Sequence, residues 1–176
     1  TEQVVADGIT EVTLLGQTVN SWNDGAHDFA DLLRAVGAVA GLKRLRFTSP
    51  HPNDFSDRVI EAMATVPAVC EHVHLPLQSG SSAVLKRMLR RYSREDYLAC
   101  VARLRAAVPH LAITTDIIVG FPGERDADFE ETLEVVNAVG FDDAFTFKFS
   151  PREGTPATRL PAELIVPDEA ASERLA

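Results

Sequence analysis

Five short polar stretches recur along this 176-residue chain and hold most of its chemically useful side chains. They are Gly16-Gln-Thr-Val-Asn20, Thr48-Ser-Pro-His-Pro52, Gln78-Ser-Gly-Ser81, Gly120-Phe-Pro-Gly-Glu124 and Ser150-Pro-Arg-Glu-Gly-Thr-Pro156. Amides and hydroxyls can both donate and accept hydrogen bonds, and glycine lets a backbone approach a ligand closely. Turns favour the same residue types, so the weight lies in their recurrence after one apolar run after another. The set suits a polar ligand of nucleotide size. Asp116 is different in kind, a carboxylate opening the apolar run Ile117-Ile118-Val119. Left uncompensated there it would cost on the order of several kcal/mol, so it has either a functional partner or a salt bridge.

Other reactive side chains are read more plainly. His72 and His74 share a strand face, and His-x-His can hold a metal, but only Asp116 could join them as a further ligand. The preferred reading is a hydrogen-bonded barrel histidine, with a metal-dependent barrel hydrolase as the rival. Cys70 and Cys100 are the only cysteines, form no metal-type cluster and fall beside or within apolar faces, where they read as core. The basic run Lys86-Arg-Met-Leu-Arg-Arg91 ends a helix, where positive charge complements the helix dipole, with phosphate contact as the alternative. Phe145, Phe147 and Phe149 alternate at strand spacing and read as core in preference to a base-stacking platform.

The elements that position these residues alternate regularly. Strand-like runs span Glu11–Gly16, Arg44–Ser49, His72–Pro76, Ile113–Gly120 and Ala144–Ser150, and strands begin about every thirty residues, the length of a βα unit. Between them, Phe29, Leu32, Leu33, Val36 and Val39 repeat at helical spacing. Ser56 caps a helix stapled by Phe55 and Ile60. Ser93 and Asp96 form a capping box ahead of Tyr97, Cys100, Val101, Leu104 and Val108. A second box is read at Asp128 and Glu131, before Leu133, Val136 and Val139. The alternation predicts a parallel sheet covered by helices, with Ile117–Val119 buried on both faces and ligands gathered at the carboxyl ends of the strands. Thr1–Gly8 reads as the end of a helix stopped by Gly8. Pro167–Ala176 reads as a helix capped by Asp168 with Leu175 inward and no partner.

Composition narrows the class. Lys plus Arg is 17 and Asp plus Glu is 26, so the net charge is 17 − 26 = −9, which argues against attachment to DNA or RNA by overall charge alone. No apolar stretch approaches a membrane span, and two isolated cysteines imply no disulfide framework, so a cytoplasmic protein is expected.

Taken together, Glu11-Val-Thr-Leu-Leu-Gly-Gln-Thr-Val-Asn20, Phe47-Thr-Ser-Pro-His-Pro52, His74-Leu-Pro-Leu-Gln-Ser-Gly80, Asp116-Ile-Ile-Val-Gly-Phe-Pro-Gly-Glu124 and Phe149-Ser-Pro-Arg-Glu-Gly-Thr-Pro-Ala157 resemble the radical S-adenosylmethionine (SAM) methylthiotransferases. The Leu-Gln-Ser-Gly form is similar to the branch that acts on N6-isopentenyladenosine in tRNA. The resemblance implies an α/β fold, a partial (β/α)6 TIM-like barrel of which five strands are present and the first is lacking. Residues 1–160 would be barrel core, and residues 161–176 the start of a linker to an RNA-binding domain.

By the same resemblance, SAM is the cofactor, with two 4Fe–4S clusters in the full-length enzyme whose ligands lie outside this chain. A deoxyadenosyl radical would abstract hydrogen from C2 of a prenylated adenine beside the anticodon, with a separate electron donor. Gln17 and Asn20 would lie near the methionine end of SAM, Gln78 and Ser79 near its ribose, and Asp116 beside the reacting centre. A Cβ at Gly120 would occupy ligand space. The tRNA anticodon loop is the implied partner, with no DNA and no membrane. Rivals are methylthiolation of a ribosomal protein, the metal-dependent hydrolase, and a non-catalytic interaction module.

Overall fold

The computed structural model describes residues 1–152 and 154–176, and for Thr158 and Arg159 the backbone alone. Glu153, inside the fifth polar stretch, lies outside the described residues. The chain divides into two compact units, one of residues 1–76 and 99–114, the other of residues 77–98 and 115–176.

In the first unit, β1 (Glu11–Leu14) and β2 (Arg44–Phe47) pair in parallel with Glu11 opposite Arg44 and Leu14 opposite Phe47. Glu11 bonds to Arg44 and, at 2.8 Å, to Arg46, on the exposed side of that pair. A parallel bridge from Leu45 to Val69 continues toward β3 (His72–His74), which pairs in parallel with the first residues of β4 (Ala112–Val119). Helices α2 (Phe29–Gly37) and α3 (Asp57–Thr65) connect these strands, as parallel pairing requires. Ser56 caps α3 by accepting from Val59 N, and Phe55 and Ile60 are both buried. Phe29 meets Phe47 edge to face at 5.3 Å, in a core with Leu33, Leu45 and Val73. Helix α1 (Glu2–Ala6) stops at Gly8, whose φ of 94° closes a left-handed turn, as expected.

The second unit holds α4 (Ser82–Arg87), the start of α5 (Arg94–Ala107), the end of β4, α6 (Asp126–Val139), β5 (Asp143–Lys148) and α7 (Asp168–Leu175). Ser93 and Asp96 exchange backbone bonds at the start of α5, and Tyr97, Cys100, Val101, Leu104 and Val108 are all buried along that helix and its end. Here several expectations need correction. Helix α6 starts at Asp126 and not after Asp128: Asp128 sits one turn in and accepts from Arg125 N. The buried stripe is therefore Asp128, Thr132, Val135 and Val139, and Leu133 is exposed.

Strand β4 is buried on one face only, through Ile113, Thr115, Ile117 and Val119, while Thr114, Asp116 and Ile118 are half-buried on the other. Phe145 and Phe147 are 58% and 51% exposed, so neither is core. Residues 161–176, expected as the start of a linker, form a 3-10 turn at Ala162–Leu164 and α7, which packs on β5. Ala171 is the buried residue of α7, whereas Leu175 is exposed. Among the described residues no helix is long and apolar enough to cross a membrane.

Candidate functional site

The turn after β3 is built by hydrogen bonds to elements distant in sequence. Leu77 N donates to the buried Thr115 hydroxyl at 2.9 Å, and Tyr92 Oη donates to Leu77 O at 3.1 Å. Gln78 then bridges to β4: its N–H donates to Asp116 O at 2.8 Å, and its carbonyl accepts from Ile118 N at 2.9 Å. These bonds hold Gln78 at a φ of 66°, a left-handed conformation uncommon outside glycine. Such strain persists only where the surroundings impose it, and it concentrates at functional sites. Gln78 is 6% exposed and lines a cleft of about 590 Å³, and its side-chain amide has no hydrogen-bond partner among the described residues. An amide that opens onto a cleft can be satisfied there by water or by a polar ligand.

Beyond Gln78 the turn is locked to α6. Ser79 is fully buried, with Oγ 3.2 Å from Ser81 N and 3.4 Å from the Thr132 hydroxyl. Gly80 N donates to Thr132 Oγ1 at 2.9 Å, and Ser81 Oγ donates to Asp128 Oδ1 at 2.7 Å. The Ser79 hydroxyl thus holds the turn. Asp128 is almost wholly buried. Burial would raise its pKa, but the Arg125 guanidinium, Arg125 N–H and Ser81 hydroxyl outweigh that and hold it at about 2, against 3.8 for an ordinary aspartate.

Because the folded-state value is the lower one, the stabilisation is present above 3.8 and is lost as the pH falls through about 2. Asp128→Asn is expected to remove about 2 kcal/mol of that acid-sensitive stability. Urea midpoints measured down this pH range should therefore fall less steeply for the variant than for the parent, and parallel slopes would contradict the assignment.

The Gly120–Glu124 turn is closed from within. Gly120 N donates to Glu124 Oε1 at 3.0 Å, and the Glu124 side chain, 2% exposed, accepts from Arg174 Nη1 of α7 at 2.7 Å. Gly120 has a φ of 72°, and a Cβ on it would lie 2.6 Å from Ala171 Cβ. The space beside Gly120 is taken by α7, which corrects the expectation that a ligand fills it. Leu164 O accepts from Gly123 N, and Arg87 Nη2 donates to Gly123 O at 2.8 Å. Asp116 is half-buried on the same strand face as Ile118, which lines the cleft.

In the first unit, Asn20 forms a two-way clasp with His51: Oδ1 accepts from His51 N at 2.8 Å and Nδ2 donates to His51 O at 2.9 Å. Its amide joins the turns after β1 and β2. Gln17 is exposed in the same turn. Gln78 and Asp116 are therefore brought together through the backbone, whereas Ser79, Asn20 and Gly120 serve the fold.

His74 Nδ1 lies 3.0 Å and His72 Nε2 3.4 Å from the Thr114 hydroxyl, the hydrogen-bonded arrangement preferred from sequence. No group of three or more potential metal ligands exists among the described residues. Cys70 is half-buried, contrary to its core reading, and burial pushes the Cys100 thiol up to about 11 despite the nearby Arg103. A buried protonated thiol and one other cysteine do not fit the three or four thiolates an iron–sulfur cluster takes.

Thr115, Thr132 and Arg174 escaped the sequence reading, and Glu124 stood there only as the end of its polar stretch. The signal available for Thr132 was its spacing of four from Asp128, which puts both on the apolar stripe with Val135 and Val139.

A tRNA-2-methylthio-N(6)-dimethylallyladenosine synthase of Parafrankia sp. (strain EAN1pec) is 61% identical over 162 residues, 90% of this chain and 33% of that protein. Its counterpart from Acidothermus cellulolyticus is 56% identical over 99% of this chain and 35% of its own length. The chain thus spans about a third of the curated relatives it matches. Coproporphyrinogen III oxidase (HemN) from Escherichia coli, a radical SAM enzyme, superposes with a TM-score of 0.74 at 15% identity, covering 99% of this chain and 42% of that one. That likeness concerns the fold, the partial TIM-like α/β barrel read from the sequence. Residues 1–136 match the Radical SAM superfamily, and the chain belongs to that family, whose cofactors are SAM and a 4Fe–4S cluster.

Proposed function

We propose that this chain is the SAM-binding segment of a tRNA methylthiotransferase that places a 2-methylthio group on N6-dimethylallyladenosine beside the anticodon. The observation that carries the reading is the 61% identity to a relative of that name across 90% of the chain. SAM supplies the radical and methyl chemistry when bound. The chain's own part is to bind, orient and exclude water.

Gln78 presents its partnerless amide to the cleft and hydrogen-bonds the SAM ribose. Asp116 stands beside it and offers a carboxylate to the cofactor's positive end. Exposed Gln17 is a contact for the methionine end, while Asn20, Ser79 and Gly120 act indirectly by shaping the turns. Two 4Fe–4S clusters act in the whole enzyme, neither built from Cys70 and Cys100. The tRNA anticodon loop and an electron donor are its partners, in the cytoplasm.

Asp116→Asn in the full-length protein is expected to abolish or severely slow methylthiolation with the fold intact. Nucleoside mass spectrometry of tRNA from cells carrying only the variant should show N6-dimethylallyladenosine without its methylthio group, while circular dichroism of the purified variant stays unchanged. Normal methylthiolation would rule out the role given to Asp116. A methylthio group found on ribosomal protein and absent from tRNA of the parent strain would overturn the substrate.

A further inference from the structure

The cleft of the second unit has a charge opposite to that of the chain. Arg87, Arg90, Lys148 and Arg152 line it and, among the described residues, no carboxylate does, although the chain carries a net charge of −9. Arg87 is held by Gly123 O, and Lys148 by Asp168 at 2.6 Å. Arg90 and Arg152 are exposed and have no acceptor among the described residues. The walls between these cations are apolar: Phe121 packs edge-on against Phe149 at 4.9 Å, and Phe147 stands 51% exposed beside Met88. An exposed aromatic face among guanidinium groups matches a base with an apolar substituent flanked by phosphates.

We propose that Arg90 and Arg152 bind the phosphates flanking the target nucleotide of an RNA, with its prenylated base against Phe147. The inference rests on the tRNA substrate proposed above and assigns its seat in this chain. It also gives the basic run ending α4 a role beyond complementing a helix terminus.

The test uses this chain and a synthetic RNA hairpin with N6-dimethylallyladenosine in its loop, titrated by fluorescence anisotropy over a range of salt. Arg90→Gln with Arg152→Gln is expected to weaken binding roughly tenfold or more. It should also flatten the log–log salt dependence by about 0.7 per lost phosphate contact. Lys86→Gln, in the same basic run as Arg90 but outside the cleft, should leave the slope unchanged. Phe147→Ala should erase the preference for the prenylated hairpin over an unmodified one and keep the slope. An unchanged affinity and slope in the double variant, with the prenyl preference intact, would overturn the phosphate contacts and leave the tRNA reading standing. An equal effect from Lys86→Gln would reduce the cleft to general electrostatics and overturn the site. Failure of the parent chain to bind the hairpin would overturn the inference outright, while tRNA mass spectrometry decides the function separately.

Discussion

Gly80→Ala is expected to be among the most damaging single substitutions in the chain. A Cβ on Gly80 would lie 2.4 Å from Glu131 O, 2.5 Å from Thr132 Cα and 2.8 Å from Glu131 C. All three are backbone atoms of α6, so no side-chain rotamer can relieve the contact. The turn and the helix would have to separate, stretching the bonds from Gly80 N to Thr132 and from Ser81 to Asp128. Overpacking a well-packed site typically costs about 1–3 kcal/mol, and the rigidity of both partners puts this case at about 3 kcal/mol or above. For a domain of this size that lowers the melting temperature by roughly 6–12 °C. Differential scanning calorimetry reads it directly. Binding of SAM should weaken as well, because Gln78 is positioned by the same turn. A melting temperature within a degree or two of the parent would show that the turn and α6 are not in close contact.

Arg174→Ala should rival it by a different mechanism. Arg174 is 9% exposed and donates to Glu124 Oε1 at 2.7 Å and to Asp126 Oδ1 at 2.7 Å, with its guanidinium 5.8 Å from the Phe129 ring centroid. The Asp126 arm counts for little because that carboxylate is 99% exposed. The Glu124 arm carries the effect: truncating Arg174 strands a buried carboxylate, at a cost of about 3–5 kcal/mol. Adding Glu124→Gln should restore much of the loss, since a neutral amide needs no counter-charge. A coupling free energy near zero in this double-mutant cycle would contradict the assignment. Hydrogen exchange should rise first at Gly120 and Gly123, whose N–H groups are bonded to Glu124 and Leu164.

The features legible in the linear chain are those whose causes lie within a few residues. Ser56 caps α3 and Ser93 pairs with Asp96 because the donor and acceptor are three residues apart. The alternation of strands and helices follows from apolar periodicity, and Gly8 ends α1 because only a short-range left-handed turn is needed there. Even so, α6 begins three residues before the start that a cap at Asp128 implies, because Asp128 serves as well one turn inside a helix as at its cap.

What the polar groups of the site do was decided by partners far along the chain. Asn20 could have faced a ligand, but its amide meets the backbone of His51, 31 residues away. Ser79 meets Thr132 at a separation of 53, and Gly120 meets Ala171 of α7. Phe145 and Phe147 alternate like core residues, yet whether a strand face is covered depends on what packs over it. A residue type states which bonds a side chain can make, whereas the fold brings up the atoms that compete for them. Gln78 differs in that its own turn places it at the cleft, where its side-chain amide has no partner among the described residues.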